Sequence, residues 1–277
     1  MQGQQSRRFG SALRKTAYAP VHTWRTATAG FRLPPDVVIL GAQRAGTRSM
    51  HSWLGSHPRV SRPRYSEVHY FDVHYNRGER WYRTHYPIRR AERASVESSP
   101  YMLFHPLAPG RAARDLPEST RFVVLLRDPA ERAVSHYWLS RRLGRERETL
   151  EAALALEEKR LAGEVERVER GERSFRHRFF SYRARGIYEP QLQRWFDAVG
   201  RDRILVLQSE ELFVDPEATA PVLEWLGLGS VDAPFPSVNG APRSEPASDA
   251  TIDELRAYFA PHNERLFTLL GRRLWGH

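Results

Sequence analysis

A short segment in the first fifth of the chain has the residue types and spacing of an anion-binding site. Residues 37–40 form a continuous apolar run, Gly41 and Gly46 bracket the turn that follows, and a helical pattern begins next. In such an arrangement the backbone N–H groups of the turn and of the first helical residues point at one spot, where the helix dipole adds positive potential. Arg44 and Arg48 add full charges beside these amides. The segment predicts a site for a phosphate or a sulfate ester; the alternative is a tight turn with no ligand.

This loop differs from the loop that binds nucleoside triphosphates. A Walker A loop has Gly, four residues, and then Gly-Lys-Ser/Thr. Gly41 and Gly46 have that separation, but Thr47 and Arg48 follow Gly46, and the basic residue inside the loop is Arg44. An ATP-dependent small-molecule kinase would share the fold and the loop. The missing lysine and the lack of a clear magnesium carboxylate argue against that alternative.

A second candidate anion site follows the apolar run 122–126. Arg127 ends this run, and Ser135 lies eight residues on, two turns into the next helical pattern. A guanidinium at a strand end and a helix hydroxyl could hold one phosphate together. Alternatively, Arg127 pairs with Asp128 or Glu131, and Ser135 is an ordinary helix serine. Two anion sites on neighbouring strand ends suit a nucleotide that carries two separated phosphates.

The elements that must position these side chains alternate along the chain. Short continuous apolar runs are typical of parallel strands covered on both faces, and they occupy residues 37–40, 122–126 and 204–207. Helical patterns lie between and after them, at residues 49–56, 129–143, 189–198 and 251–270. We expect Asp128 to be an N-cap and Pro129 to lie in a first helical turn. The alternation predicts an α/β fold with a doubly wound parallel sheet flanked by helices, which binds ligands at the carboxyl ends of its strands.

Two further segments have a distinct composition. Residues 149–171 are dense in Glu and Arg at helical spacing, which predicts a solvated helix with i,i+4 ion pairs or, alternatively, a flap on the substrate side. Residues 231–248 are rich in Pro, Ser, Gly and Ala and predict a long loop.

Length and charge limit the classes of protein. The 277 residues suit a single domain over residues 34–277, preceded by a basic arm over residues 1–33 that has no acidic residue. The formal net charge of +10 predicts attraction to anionic partners. A basic nucleic-acid-binding protein is the non-enzymatic alternative. It is disfavoured, because the arginines are dispersed among acidic residues rather than clustered on one predicted element.

The composition also bears on the compartment. The chain has no cysteine, which excludes disulfide and thiolate chemistry and fits a reducing compartment. No apolar run approaches the roughly 18 residues of a membrane span, and the first residues lack the apolar core of a signal peptide. We therefore expect a cytoplasmic protein. Its basic arm is either a solvated tail or a contact with an anionic membrane surface.

The ordered set of motifs resembles the sulfotransferases that use 3′-phosphoadenosine 5′-phosphosulfate (PAPS). Residues 41–49 resemble the 5′-phosphosulfate loop of that family, and residues 125–137 resemble its 3′-phosphate segment. The resemblance covers roughly residues 35–275 and includes the segments 67–72, 97–101, 185–188, 209–212 and 258–263. By motif, the nearest groups are the heparan sulfate glucosaminyl 3-O-sulfotransferases and bacterial carbohydrate-type sulfotransferases.

This resemblance implies a P-loop-like sulfotransferase fold and PAPS as the cofactor. The residues implied to bind PAPS are Arg44, Ala45, Gly46, Thr47, Arg48, Ser49, Arg127, Ser135 and, in place of a cysteine-bridged family loop that is missing here, Arg243. Glu67 is implied as the general base that takes the proton of the acceptor hydroxyl, with His69 and Asp72 as orienting partners. Arg44 stands at the lysine position of the family, where a cation neutralises charge on the departing nucleotide. No metal is expected, because arginines and amides supply the charge stabilisation.

Departures from the family pattern affect the expected acceptor. Ser66 precedes Glu67 where many members have lysine, and Ser98 stands where the heparan-type enzymes carry a lysine on the substrate side. These departures argue against heparan sulfate itself. The predicted activity is sulfuryl transfer from PAPS to a hydroxyl of a carbohydrate or a glycolipid, with adenosine 3′,5′-bisphosphate as the product. The candidates for the lining of the acceptor cleft are the 145–180 region and the residues Trp81, Tyr82, His85 and Tyr86; packing in the core is the alternative for these aromatic residues.

Overall fold

A five-stranded parallel sheet forms the centre of the computed structural model, which describes residues 23–32, 34–63, 66–88, 93–230, 233–238 and 247–276. Its strands are β1 (Val37–Gly41), β2 (Val60–Ser61), β3 (Ala94–Ser98), β4 (Arg121–Leu126) and β5 (Ile204–Gln208). They lie in the order β2-β3-β1-β4-β5, and every pairing is parallel. The predicted doubly wound α/β sheet is confirmed.

Helices connect and flank the strands. They are α1 (Thr47–Leu54), α2 (Gly78–Arg83), α3 (Ala108–Asp115), α4 (Pro129–Arg142), α5 (Leu150–Ala155), α6 (Glu157–Leu161), α7 (Glu164–Glu169), α8 (Phe175–Phe179), α9 (Glu189–Val199), α10 (Ser209–Val214), α11 (Ala220–Trp225) and α12 (Asp249–Leu270). Residues 23–27 are also helical, and a π-helical turn covers Tyr70–His74. No helix within the described ranges is both long and apolar enough to cross a membrane.

The topology places a crevice beside β1. From β1 the chain first fills one side of the sheet, with β2 and β3, and then the other side, with β4 and β5. Ligands of open α/β sheets bind at such a switch point, outside the carboxyl ends of the strands. β1 is wholly buried, and five of the six residues of β4 are buried, as expected for strands covered on both faces.

Local signals in the sequence identified several elements correctly. The apolar runs 37–40, 122–126 and 204–207 form β1, β4 and β5, and the four helical patterns form α1, α4, α9 and α12. Asp128 caps α4 by accepting a hydrogen bond from the N–H of Glu131 at 2.7 Å, and Pro129 opens the helix. Both features of this helix start are confirmed.

The prediction of one solvated helix over residues 149–171 is wrong. Three short helices, α5, α6 and α7, occupy this segment, and Gly163, in the left-handed region at φ 73°, separates α6 from α7. Leu150 and Leu154 pack in a second apolar cluster with residues of α4, and the Glu157 carboxylate is buried. Packing of the two leucines against α4, and of Glu157 against the backbone N–H groups of Arg183 and Ala184, overrides the polar appearance of the segment.

The end of the predicted basic arm contacts the folded domain. Arg25 donates to the carbonyl oxygens of Thr84 and Tyr86, and the buried Arg32 also donates to the carbonyl of Tyr86, at 2.5 Å. Residues 1–22 and 33 lie outside the described residues. The domain boundary, the cytoplasmic location and the membrane contact of the arm stay predictions.

Candidate active site

The turn between β1 and α1 requires its glycines. At Gly41 a Cβ would lie 2.8 Å from the Cβ of Leu103, and at Gly46, where φ is 83°, it would lie 3.1 Å from the ring of Phe213. Gly46 is the N-cap of α1 and, like the next three residues, has an N–H group with no acceptor among the described residues. Such orphaned amides at a helix start can be satisfied by a ligand.

Arg44 connects the two predicted anion sites. Its backbone is left-handed, with φ 76°, and its Nε donates to Ser135 Oγ at 2.9 Å. Arg127 donates to the carbonyl of Arg44 at 3.3 Å and pairs with Glu131 at 3.2 Å. Burial, followed by the charges of neighbouring arginines, lowers the pKa of Arg44 to about 10. The guanidinium therefore stays charged at neutral pH, in a position that a bound anion would stabilise.

A chain of three side chains lies beside this loop. His69 Nδ1 is 2.9 Å from Asp72 Oδ2, and His69 Nε2 is 3.0 Å from Glu67 Oε2. The other carboxylate oxygen of Glu67 accepts from Arg48 at 3.4 Å. His69 has a left-handed backbone, with φ 55°, and its N–H donates to Ser99 Oγ at 2.9 Å. Glu67 is therefore hydrogen-bonded to Arg48 of the loop between β1 and α1 (residues 41–49, the anion loop) and is oriented by His69.

Burial and the neighbouring charged groups shift the pKa values of His69 and Glu67 in opposite directions, and the neighbours prevail. Burial alone would lower the pKa of His69, but the charge of Asp72 and the hydrogen bonds with Asp72 and Glu67 outweigh it and raise the pKa to about 9. Burial alone would raise the pKa of Glu67, but His69 and Arg48 outweigh it and lower the pKa below its usual range. At neutral pH, Glu67 is a carboxylate that accepts a hydrogen bond from an imidazolium.

Arg44, Arg48, Arg127, Glu67 and His69 open into one cavity of about 580 Å³. Positive charge dominates its described lining, with seven arginines against two glutamates. The arginines are Arg44, Arg48, Arg127, Arg142, Arg145, Arg178 and Arg185, and the glutamates are Glu67 and Glu210. Such a concentration of guanidinium groups suits a ligand with several negative charges. No cluster of histidine and carboxylate groups that could hold a metal ion occurs among the described residues.

The predicted site residues take different positions. Arg44, Gly46, Thr47 and Arg48 line the cavity, as do Arg127, Glu67 and His69. Ala45 and Ser49 are buried beneath the loop: the carbonyl of Ala45 accepts from Ser209 Oγ at 2.9 Å, and Ser49 Oγ accepts from the N–H of Val238 at 3.1 Å. Arg243 lies outside the described residues.

Of the four aromatic residues with two alternative interpretations, Tyr82 and Tyr86 pack in the core, Trp81 packs against it and His85 is half-buried. Tyr82 and Tyr86 are buried and donate to the carboxylate of Glu97, while Trp81 and His85 stack edge to face at 4.3 Å. None of the four lines the cavity within the described residues. Residues of the 145–180 segment line it instead, including Arg145, Arg178 and Phe179.

The structure adds residues that the sequence did not single out. Arg185 is buried, donates to the side-chain oxygen of Gln43 in the loop, and stacks over Tyr101 at 4.7 Å. Arg178 reaches His69. Arg185 belongs to a segment that carries the family resemblance, which could have signalled it. Nothing in the local pattern distinguishes Arg178 from its neighbour Arg176.

The sheet order, the glycine-bracketed loop after β1 and the arginine-rich cavity define the class of P-loop-like α/β proteins, with a cavity suited to an anion. Within this class, the model of the sulfotransferase domain family matches residues 34–232. The match covers more than half of the chain, and the chain therefore belongs to the sulfotransferase family.

Individual relatives agree with this assignment. The crystal structure of a sulfotransferase from Alicyclobacillus acidocaldarius is 29% identical, with a TM-score of 0.71 over 87% of this chain and 97% of that one. Mouse heparan sulfate glucosamine 3-O-sulfotransferase 6 is 27% identical over 270 residues, which cover 88% of this chain and 74% of that protein. The mouse 3-O-sulfotransferase 3B1 is 25% identical, and the match covers 65% of its length. The family that matches is that of the sulfotransferases and not a family of small-molecule kinases, the enzymatic alternative.

Proposed function

We propose that this protein transfers the sulfuryl group of PAPS to a hydroxyl of a carbohydrate or a glycolipid, with Glu67 as the general base. The observation that carries the proposal is the position of the Glu67 carboxylate. It lines the same cavity as the anion loop and contacts Arg48 of that loop at 3.4 Å. A base for the acceptor and a cradle for the donor therefore share one space.

The donor set of the cavity fits the nucleotide. The orphaned amides that begin at Gly46 suit the 5′-phosphosulfate, together with Arg44 and Arg48. Among the described residues, the two terminal nitrogens of Arg44 have no acceptor, so both are available to an anion. Arg127 and Ser135 lie next to Arg44 and suit the 3′-phosphate. When bound, PAPS would supply an electrophilic sulfur atom and a stable leaving group.

The roles of the chain's own residues follow from their charges. Glu67, an ionised carboxylate, takes the proton of the acceptor hydroxyl while the oxygen's electron pair forms the new bond to sulfur. Arg44 stabilises the negative charge that develops on the departing phosphate oxygen as the old bond to sulfur breaks. His69 holds one oxygen of Glu67, and Asp72 holds the other side of the imidazole ring. Arg44 keeps its proton in this role, because charge stabilisation requires only its positive charge.

The support for the acceptor class comes from the relatives and from the cavity wall. The mouse relatives are named for action on a glucosamine of heparan sulfate. In this chain, the cavity wall combines Arg142 and Arg145 with the apolar side chains of Leu143 and Phe179. Charged forks beside apolar and aromatic surface suit a sugar with hydroxyl and acidic groups. The proposed acceptors are therefore glycans and glycolipids.

The test combines nucleotide binding with transfer from labelled PAPS to a panel of glycans and glycolipids. We expect adenosine 3′,5′-bisphosphate to bind with a dissociation constant on the order of micromolar. Glu67→Gln should keep this affinity and lose about 100-fold or more of kcat, because only the proton acceptor is removed. Glu211→Gln, at an exposed carboxylate of α10, is the matched control and should keep full turnover. Absence of nucleotide binding, or an active Glu67→Gln variant, would reject the proposal.

A further inference from the structure

A third side chain contacts the ring of His69 and has no role so far. Arg178 Nη2 lies 3.0 Å from His69 Nε2, the same nitrogen that lies 3.0 Å from Glu67 Oε2. The opposite ring nitrogen, Nδ1, lies 2.9 Å from Asp72 Oδ2. Arg178 and Glu67 therefore meet at one atom of His69.

One ring nitrogen cannot serve both neighbours. When His69 is an imidazolium, both ring nitrogens carry hydrogen, so Nε2–H donates to Glu67 and cannot accept from Arg178. When the ring is neutral and Nδ1–H donates to Asp72, Nε2 has a lone pair that accepts an N–H of Arg178. Glu67 then loses its hydrogen bond from His69. The two contacts describe alternative states of the same triad.

The surroundings of Arg178 hold its guanidinium next to Nε2 of His69. Arg178 lies on α8 and is half-buried, with its guanidinium over the rings of Phe179 at 5.0 Å and Tyr101 at 5.7 Å. Among the described residues, no carboxylate lies within ion-pair distance of it. Its backbone carbonyl accepts from Arg185, so a change of the side chain alone preserves that hydrogen bond. The guanidinium is thus supported by aromatic faces and lacks a competing anion.

From this geometry we infer that Arg178 is a positioning residue, which competes with Glu67 for Nε2 of His69 and thereby sets when His69 releases the base. The inference rests on the proposed function in one respect, the assignment of Glu67 as the base. The contact of Arg178 with His69 and its effect on the ring are independent of that assignment.

The charges around His69 give the direction of the effect. Burial lowers the pKa of the ring, Asp72 and Glu67 raise it, and Arg178 lowers it; the balance lies at about 9. Further out, His105 and Arg111 face Asp72, and Arg48 faces Glu67. His74, in the turn after Asp72, also senses the charge of His69.

Replacing Arg178 with a neutral residue removes a positive charge that opposes the effect of Asp72 and Glu67 on the pKa of His69. The imidazolium then persists to higher pH and keeps its hydrogen bond to Glu67. A carboxylate bound to an imidazolium is a weaker base than a free one. Arg178 therefore shifts the release of Glu67 towards neutral pH.

The experiment follows the imidazole nitrogens of His69 by ¹⁵N NMR during a pH titration of the full chain, with the signal assigned through His69→Asn. We expect Arg178→Gln to move the His69 midpoint to higher pH by roughly half a pH unit or more, because a charge within hydrogen-bonding distance has an effect of that order. Arg178→Lys keeps the charge and should restore most of the wild-type midpoint. Arg176→Gln is the matched control: this neighbouring side chain is 59% exposed and lies 3.9 Å from Glu164, so the midpoint should not move.

Activity gives a second readout. The pH at which kcat rises should move upward in Arg178→Gln together with the His69 midpoint, while the dissociation constant of adenosine 3′,5′-bisphosphate stays within about twofold. An unmoved His69 midpoint would overturn the inference, as would an equal loss of kcat at every pH.

The NMR titration needs neither donor nor acceptor. A moved midpoint therefore supports the Arg178 contact even in a protein that fails to bind the nucleotide, a failure that would count against the proposed function alone.

Discussion

The arginines of the cavity carry more positive charge than the two glutamates of its described lining can neutralise. Arg44 has a left-handed backbone that is uncommon for a side-chain-bearing residue, and other guanidinium groups help burial to lower its pKa. Arg127 is shared between the carbonyl of Arg44 and the carboxylate of Glu131. Such clustered cations are stabilised by an anion that binds only the folded state. The most direct evidence for two separate phosphate sites would be a residue that distinguishes them.

Arg127→Ala is expected to make that distinction. Its guanidinium contacts the carbonyl of Arg44, whose side chain bonds Ser135, so its loss should affect the 3′-phosphate. Loss of a charged hydrogen bond costs about 1.5–3 kcal/mol, which corresponds to roughly 10- to 100-fold in affinity for adenosine 3′,5′-bisphosphate. Calorimetric titration should show a much smaller effect on the nucleotide without the 3′-phosphate. Arg256→Ala, at a surface arginine of α12, serves as the control. Equal weakening of both nucleotides would assign Arg127 to another role.

At the scale of elements, β3 supports the segment that carries Glu67 and His69. Its Glu97 is fully buried and accepts hydrogen bonds from Tyr82, Tyr86 and Ser99. Ser99, which follows the strand, in turn accepts the backbone N–H of His69 at 2.9 Å. The left-handed conformation that points His69 between its partners is therefore tied to the core of the sheet. Burial raises the pKa of Glu97 more than these hydrogen bonds lower it.

Glu97→Gln should make the stability of the fold less dependent on pH. An acid whose pKa is raised by folding binds its proton more tightly in the folded state, so its contribution is present at low pH and is lost as the pH rises above the unfolded value. Glutamine has nearly the same shape as the protonated acid. Relative to the variant, wild-type protein should lose stability in urea unfolding as the pH rises above about 4.3, the usual pKa of a glutamate. Glu224→Gln, at an exposed carboxylate of α11, should track the wild type. A difference that is constant with pH would contradict this account of Glu97.

At the scale of the whole molecule, buried histidines make the protein sensitive to acid. Burial lowers the pKa of His51 and of His105 to about 4 and that of His177 to about 3. All three are neutral in the folded protein and bind protons in the unfolded chain below about pH 6.5. Unfolding therefore takes up protons as the pH falls, and stability decreases. His69 has the opposite sign: its raised pKa gives a contribution that is complete below about pH 6.5 and is lost as the pH rises through about 9.

We expect the free energy of unfolding to fall steeply between about pH 6.5 and pH 4, by up to about 1.4 kcal/mol per pH unit for each buried histidine. Urea unfolding at a series of pH values measures this slope. His177→Gln should reduce the slope, although it lowers stability at neutral pH by removing a hydrogen bond with Tyr101 and a stacked contact with Phe104. An identical slope in the variant would show that His177 does not titrate on unfolding.

Structural elements whose formation depends on residues close together in the sequence were predictable. Continuous apolar runs predicted β1, β4 and β5, because a strand buried on both faces needs apolar side chains throughout. The glycines of the loop and the Asp128 cap were also readable, since both depend on local backbone geometry. By contrast, β3 escaped prediction: its Glu97 and Ser95 appear polar in sequence, and only their burial among partners from other segments makes them strand residues.

The candidate site shows the same division. Motif order was enough to single out Glu67, His69 and the arginine loop as candidates, because each motif lies within a few consecutive residues. The folded chain alone brings Arg44 to Ser135, 91 residues away, and Arg178 to His69, 109 residues away. Arg178 and Arg176 are alike in sequence, yet one reaches the ring of His69 and the other is largely exposed. Local order identifies the chemical groups, but which of them share a cavity depends on the packing of distant segments.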